Sequence, residues 1–212
     1  MRRAIFVSRS LFAAFTALTV LTVLTGLTVL TLGLALPAVN AQALLAQDEA
    51  HRLLRKGGVA LLLRHGQTES GIGDPPGFTL DNCSTQRNLS AEGRAELRDM
   101  ALRLSSAKVS FARTFTSQWC RCRETARLLT VAEGKVEDWA ALNSQFPGNA
   151  VIDKANSQVV TKIRQVPAHQ SWLLVTHQIN ITATTGIVPV PGEAVLVQPS
   201  GTGIKVLGRV KL

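Results

Sequence analysis

Three observations predict an α/β fold, a three-layer α/β/α sandwich around a largely parallel mixed sheet. Two segments, "VALLLRH" ending at His65 and "WLLVTH" ending at His177, are apolar on both faces, as strands of a covered parallel sheet must be. Segments of helical period alternate with them along the chain. Three strand ends carry polar residues, Arg64-His65, Thr116-Ser117 and Thr176-His177, and in such sheets ligands sit outside the carboxyl ends of the strands.

Taken in order, the first 43 of the 212 residues differ from the rest. Arg2, Arg3 and Arg9 precede an uncharged apolar stretch from Leu11 to Leu36, and Pro37 and small residues follow, ending Ala41-Gln42-Ala43. That order of regions is a signal peptide with an A-x-A cleavage site, which makes the protein exported and periplasmic. The stretch is also long enough to span a bilayer, so an uncleaved N-terminal anchor facing the periplasm is the rival reading. Residues 44–212 are then one domain.

An amphipathic helix is expected from Ala43 to Arg55, with Gly57-Gly58 breaking it ahead of the first strand. Residues 71–88, "GIGDPPGFTLDNCSTQRN", are rich in turn formers and read as a long loop, a kind of segment that in compact domains is usually functional. Ser90 is placed to cap a helix whose apolar face is Ala91, Ala95, Leu97, Ala101, Leu102 and Leu104. "RTFTS" is a short strand, "QWCRCRETARLLTVA" a helix, and Val195 to Val210 a hairpin turning around Pro199, Gly201 and Gly203.

The formal net charge is +9, but the arginines are spread along the chain without a basic run or interleaved aromatics, which argues against nucleic acid as a partner. There is no HExxH, Asp-rich loop or Walker-type glycine loop, so neither a metal nor another cofactor is expected. Three cysteines are present. In an exported protein Cys83 can pair with Cys120 or Cys122, closing a loop of roughly 40 residues worth about 3 to 4 kcal/mol in the chain-entropy model. Buried unpaired thiols are the alternative.

Arg64 sets a guanidinium fork beside His65, a pairing suited to phosphate oxygens, and Gly66 allows close approach of a substrate group to the backbone. Arg121 lies early on a helix that follows a strand, where the helix N-terminus adds partial positive charge. Arg123 and Arg127 are read as surface charge. His177 closes the second buried strand. Two histidines and two arginines on one rim point to phosphoryl transfer through a histidine nucleophile, His65, with Arg64, Arg121 and His177 spreading the negative charge.

On these residues the sequence resembles the histidine phosphatase superfamily, also called phosphoglycerate-mutase-like. "LLLRHGQTE" is similar to its Arg-His-Gly signature, "TSQWCRCRETA" to its Ser-x-x-x-Arg-x-x-x-Thr-Ala segment, and "LLVTHQIN" to its second-histidine strand. "QRNLSAEGRAEL" looks like the segment in which Leu-Ser-x-x-Gly opens a helix. The resemblance implies His65 as nucleophile, Arg64 and Arg121 as phosphate clamps, and His177 as the second pocket histidine. "DPPGF", "CSTQRNLS" and "THQINITATTGI" are most similar to an exported bacterial subgroup that includes lipopolysaccharide core heptose phosphate phosphatases.

The chain departs from the family pattern at Gly71, where mutases carry asparagine, at Leu142-Asn143-Ser144, where they carry the proton-donating glutamate, and at Gln178, where acid phosphatases place aspartate. Of the carboxylates in or near the long loop, Asp74, Asp81 and Glu69, the general acid is sought at Asp81 or Glu69. The expected activity is that of an exported, metal-independent phosphomonoesterase acting on a phosphorylated small molecule or a lipopolysaccharide-type glycan. The rival from another class is an inactive envelope module that binds phosphorylated sugars.

Overall fold

The structure is a computed structural model that describes residues 44–130, 135–144 and 149–212. The expected leader and anchor at 1–43 lie outside the described residues, and among the described residues no helix is long and apolar enough to cross a membrane. The elements run α1 (Gln47–Lys56), β1 (Val59–Arg64), α2 (Ala91–Ser106), β2 (Arg113–Thr116), α3 (Cys120–Leu129), β3 (Val136–Asp138), α4 (Asn149–Ile163), β4 (Ser171–Thr176), α5 (Gln178–Thr185), β5 (Ala194–Ser200) and β6 (Gly203–Val210). Short 3₁₀ turns occupy Cys83–Thr85 and Ala140–Leu142.

The six strands form one sheet in the order β3-β2-β4-β1-β5-β6. The first four run parallel, and β5 and β6 close the other edge antiparallel, giving the mixed, α/β sandwich expected. The period of two in β1 explains the layers. Val59, Leu61 and Leu63 enter a core shared with α1, α2 and α3, while Ala60 and Leu62 enter a second core shared with α4 and α5. Strand β4 divides in the same way, Leu173 and Val175 against Trp172 and Leu174. All of these side chains are buried, and each leucine contributes about 2 kcal/mol by leaving water.

Two sequence expectations change. The buried face of α2 is Gly93, Leu97, Met100 and Leu104, at helical spacing; Leu102 is 66% exposed, and Ala91 and Ala95 face solvent. Alanine fits either side of a helix, so the apolar pattern had been drawn one position too wide. Helices α4 and α5 and strand β3 were not foreseen. "QINITATT" is rich in β-branched residues of poor helix propensity; α5 holds because Ile181 is fully buried and Gly186, at φ 74°, ends the helix in a left-handed cap.

Candidate active site

The floor of the site is built by strand register. Arg64 of β1 stands opposite Thr176 of β4 in the parallel pairing, so His65 and His177 leave the sheet side by side. The His65 amide donates to the Thr176 carbonyl at 3.0 Å, and the two rings meet edge to face with centroids 5.4 Å apart. Thr116 of β2 pairs with Val175, which brings Ser117 to the same rim, and its hydroxyl lies 2.9 Å from His177 Nε2. The rim predicted from three polar strand ends is therefore a single patch.

The family-like segments now have physical roles. His65 Nδ1 donates to the Gly66 carbonyl at 2.8 Å, a tautomer that leaves Nε2 with its lone pair. Thr125 accepts from the Gly66 amide at 3.1 Å and donates to the Arg121 carbonyl at 2.7 Å, docking α3 onto the Arg-His-Gly turn. Ser90 caps α2 by accepting from the Gly93 amide, and the Ser90 amide donates to Gln67 O. A methyl group on Gly93 would stand 2.2 Å from that same Gln67 oxygen, so the glycine lets α2 press against the histidine turn.

Gly66 is also held within the protein. Its amide and carbonyl are both engaged, and a side chain there would meet Leu97 Cδ1 at 2.7 Å, so the glycine positions His65 and admits the helix.

Three guanidinium groups surround His65. Arg64 Nη1 donates to Gln178 Oε1 at 2.7 Å and to the Pro189 carbonyl at 2.8 Å. Arg121 is 5% exposed, and the third, Arg87, was not singled out in the sequence. The signal that could have found it is only its place in the loop ahead of Leu89-Ser90. The Nε–H of Arg64, of Arg87 and of Arg121 is buried and makes no hydrogen bond among the described residues. Donors left in that state cost about 1 to 3 kcal/mol each, and an anion satisfies them.

The electrostatics agree. Burial, and then the charges of Arg121, Arg64 and Arg87, push the pKa of His65 down to about 3 against the raising effect of the Gly66 carbonyl. Burial and then the His65 and arginine neighbours hold His177 well below its usual value. Both rings are neutral at pH 7. Burial drives the Cys122 thiol up to about 12, so the sulfur 3.5 Å from His177 Nε2 stays protonated.

The roof is the loop 71–88. Asp74 Oδ1 accepts from Arg121 Nη1 at 2.7 Å and Oδ2 from Nη2 at 3.2 Å, with the Arg87 amide and Trp119 Nε1 both at 3.0 Å. Its side chain is 9% exposed. Burial opposes its ionisation, but the Arg121 pairing and the other donors outweigh that and lower its pKa. Asp81 and Glu69, where the general acid was sought, are exposed and bond to none of the histidines or arginines of the site. The loop is tied down by the Cys83–Cys120 disulfide, with Cα atoms 5.6 Å apart, and by Gln86, which accepts from the Cys120 amide at 2.9 Å. Cys122 is the free thiol. The choice between Cys120 and Cys122 is made by helix geometry: Cys120 faces the loop and Cys122 faces the core.

Asn143 lies beside the site. Its Oδ1 accepts from the Gln118 amide and its Nδ2 donates to Gln118 Oε1, both at 2.8 Å, with Ser117 Oγ at 3.3 Å from Oδ1. Trp119, which sequence reasoning also passed over, sets its ring edgewise on His177 at 5.3 Å and against Phe78 at 5.8 Å. Arg123 pairs with Asp138 and Arg127 is exposed, so both stay outside the site as expected.

Comparison with known proteins gives a consistent family. The family model described as "Histidine phosphatase superfamily (branch 1)" matches residues 60–150. No curated protein is detectably similar in sequence. Among solved structures, the protein histidine phosphatase SixA complexed with tungstate superposes with a TM-score of 0.53 at 15% identity, covering 72% of this chain and 96% of that one. A structure described as a "putative alpha-ribazole-5'-P phosphatase" from Escherichia coli gives 0.55 at 18% identity over 70% and 94%. A phosphoserine phosphatase mutant from Entamoeba histolytica in complex with phosphoserine gives 0.53 at 13% identity over 71% and 95%. At such identities these structures speak for the fold.

Proposed function

We propose that this chain, which belongs to the histidine phosphatase superfamily, hydrolyses phosphomonoesters through a phosphohistidine on His65 and needs no metal to do so. One observation carries the reading: a neutral imidazole with its Nε2 lone pair free stands among three guanidinium groups whose buried Nε–H donors have no partner. In the first step Nε2 bonds to phosphorus while the ester P–O bond breaks, and Arg64, Arg87 and Arg121 balance the charge on the phosphoryl oxygens. Ser117 holds the His177 ring in place, so its other nitrogen presents a neutral group to the phosphoryl oxygens. In the second step water displaces Nε2 from phosphorus and inorganic phosphate leaves.

The substrate in this reading is a phosphorylated small molecule or an envelope glycan, with heptose phosphates of a lipopolysaccharide core first among those to assay. The protein is exported to the periplasm by its N-terminal 43 residues, or stays anchored by them to the inner membrane. The Cys83–Cys120 disulfide supports export, since such bonds persist in oxidising compartments.

The test is acid quenching with a panel of phosphorylated sugars and aryl phosphates in the presence of a chelator. We expect phosphate release, vanadate inhibition and an acid-labile phosphate on His65, with His65→Ala slowing turnover by at least about 10³-fold. Equal rates in wild type and His65→Ala would overturn the mechanism. A second reading, a phosphate-binding module without turnover, is favoured by the lack of a carboxylate at Leu142-Asn143-Ser144 and at Gln178, where the family resemblance implies one. Saturable binding of the same sugars with no release and no trapped phosphohistidine would establish it.

A further inference from the structure

We propose that Asp74 is the proton donor to the leaving group, held in reserve on Arg121 until the phosphoryl group of the substrate takes its place on that guanidinium. The inference rests on the phosphatase reading and supplies the group that reading lacks. Among the described residues Asp74 is the only carboxylate hydrogen-bonded to the histidine and arginine cluster. Asn143 and Gln178 are neutral and already engaged, the first with Gln118 and the second with Arg64.

The geometry of Asp74 is that of a stand-in anion. Two carboxylate oxygens lie on two Arg121 nitrogens, the fork-to-fork arrangement that a phosphoryl group also makes. One fork cannot hold both at once. A phosphoryl dianion carries twice the charge and takes the guanidinium, so the carboxylate must shift. The loop is built to allow the shift. Gly71, Gly73 and Gly77 flank Asp74 at φ 123°, 73° and 79°, with open space around each, while the disulfide and Gln86 fix the far end to α3. The Asp74 segment can therefore hinge by a short distance without detaching. After the shift Asp74 has lost its cation and lies next to an anion, the setting in which a carboxyl group keeps a proton.

The proton inventory closes. The ester enters as the monoanion and gives its proton to Asp74 as its dianion settles on the arginines. His65 Nε2 bonds to phosphorus, the P–O bond to the leaving group breaks, and the departing oxygen takes the Asp74 proton. Asp74, now a carboxylate, accepts a proton from water as that oxygen bonds to phosphorus; the N–P bond breaks and its electron pair returns to Nε2. Phosphate departs, and Asp74 gives up its proton to solvent as it returns to Arg121.

Leaving-group dependence separates this role from a structural one. Asp74→Asn keeps one oxygen, for either the Arg87 amide or Trp119 Nε1, and cannot donate as an acid. We expect it to lower the ratio of kcat/KM for benzyl phosphate to that for p-nitrophenyl phosphate by about 10²-fold or more, the usual reach of general acid catalysis. Asp74→Glu should restore at least a tenth of the benzyl phosphate rate, and inorganic phosphate should inhibit Asp74→Asn about tenfold more tightly than wild type because no internal carboxylate competes for Arg121. Equal losses on both esters, or full activity of Asp74→Asn on benzyl phosphate, would overturn the role while leaving the phosphatase reading intact. Absence of turnover by the wild type on either ester, with no phosphohistidine, would instead overturn that reading.

Discussion

The floor and the roof of the site are built by different means. The floor, His65, Ser117 and His177, hangs from three adjacent parallel strand ends, and its residues are at most 5% exposed. Its geometry follows from backbone register, which a single side-chain change barely moves. The roof, residues 71–88, has one 3₁₀ turn and is mostly exposed; it is held by the Asp74–Arg121 pair, Gln86 and one disulfide. The histidine we propose as nucleophile thus sits on the strand-borne part, and Asp74 on the loop.

Changes at the seam between the two regions sharpen that contrast. Removing the disulfide as Cys83→Ser with Cys120→Ser opens a loop closed over 37 residues, and we expect a loss of about 3 to 4 kcal/mol in the chain-entropy model, measured by urea unfolding. If the roof is the looser part, native-state hydrogen exchange should rise in 71–88 and not in β1 or β4; exchange rising in both would break the comparison.

Gly93→Ala tests the floor from beneath. Helix propensity alone predicts a gain of about 1 kcal/mol for alanine in a helix. The added methyl would lie 2.2 Å from the Gln67 carbonyl oxygen, a backbone atom that cannot swing away, so the net effect should be a loss of about 3 kcal/mol. A raised melting temperature for this variant would show that α2 does not press on the histidine turn as described.

Acid tests the floor from within. His65 is neutral in the folded protein down to about 3 and His177 is also held low, whereas in the unfolded chain both take up protons below 6.5. The unfolded state then binds more protons, so stability falls as pH falls through that window, by up to about 1.4 kcal/mol per unit for His65, with His177 acting in the same direction. Between pH 6.5 and 5 the loss from His65 should be about 2 kcal/mol, read as a shift in urea midpoint. A midpoint that stays level over this range would mean that the rings charge in place and the floor is wetter than the packing indicates.

The floor was legible in the chain because its signals are local. An apolar run ending in Arg-His-Gly is read as a buried strand with a histidine at its exit, and the Ser-x-x-x-Arg-x-x-x-Thr-Ala spacing carries its helix contacts within ten residues. The roof was not. Asp74, Asp81 and Glu69 look alike as loop carboxylates, and only chain closure decides that Asp74 faces Arg121 while the other two face solvent. Arg87 was hidden for the same reason, since nothing periodic in 71–88 says where its side chain goes.

By itself, then, the sequence determined the class of fold and the grouping of His65, Arg64, Arg121 and His177 on one rim, because strand and helix periods act over a few residues and leave their mark in composition. Only the tertiary structure decided that Cys83 joins Cys120, that the Gly66 amide meets Thr125, that Arg87 stands with Arg64 and Arg121 near His65, and that the carboxylate on Arg121 is Asp74. Those outcomes depend on which distant segments meet when the loop closes over the sheet, and loop closure is governed by long-range geometry that no local pattern encodes.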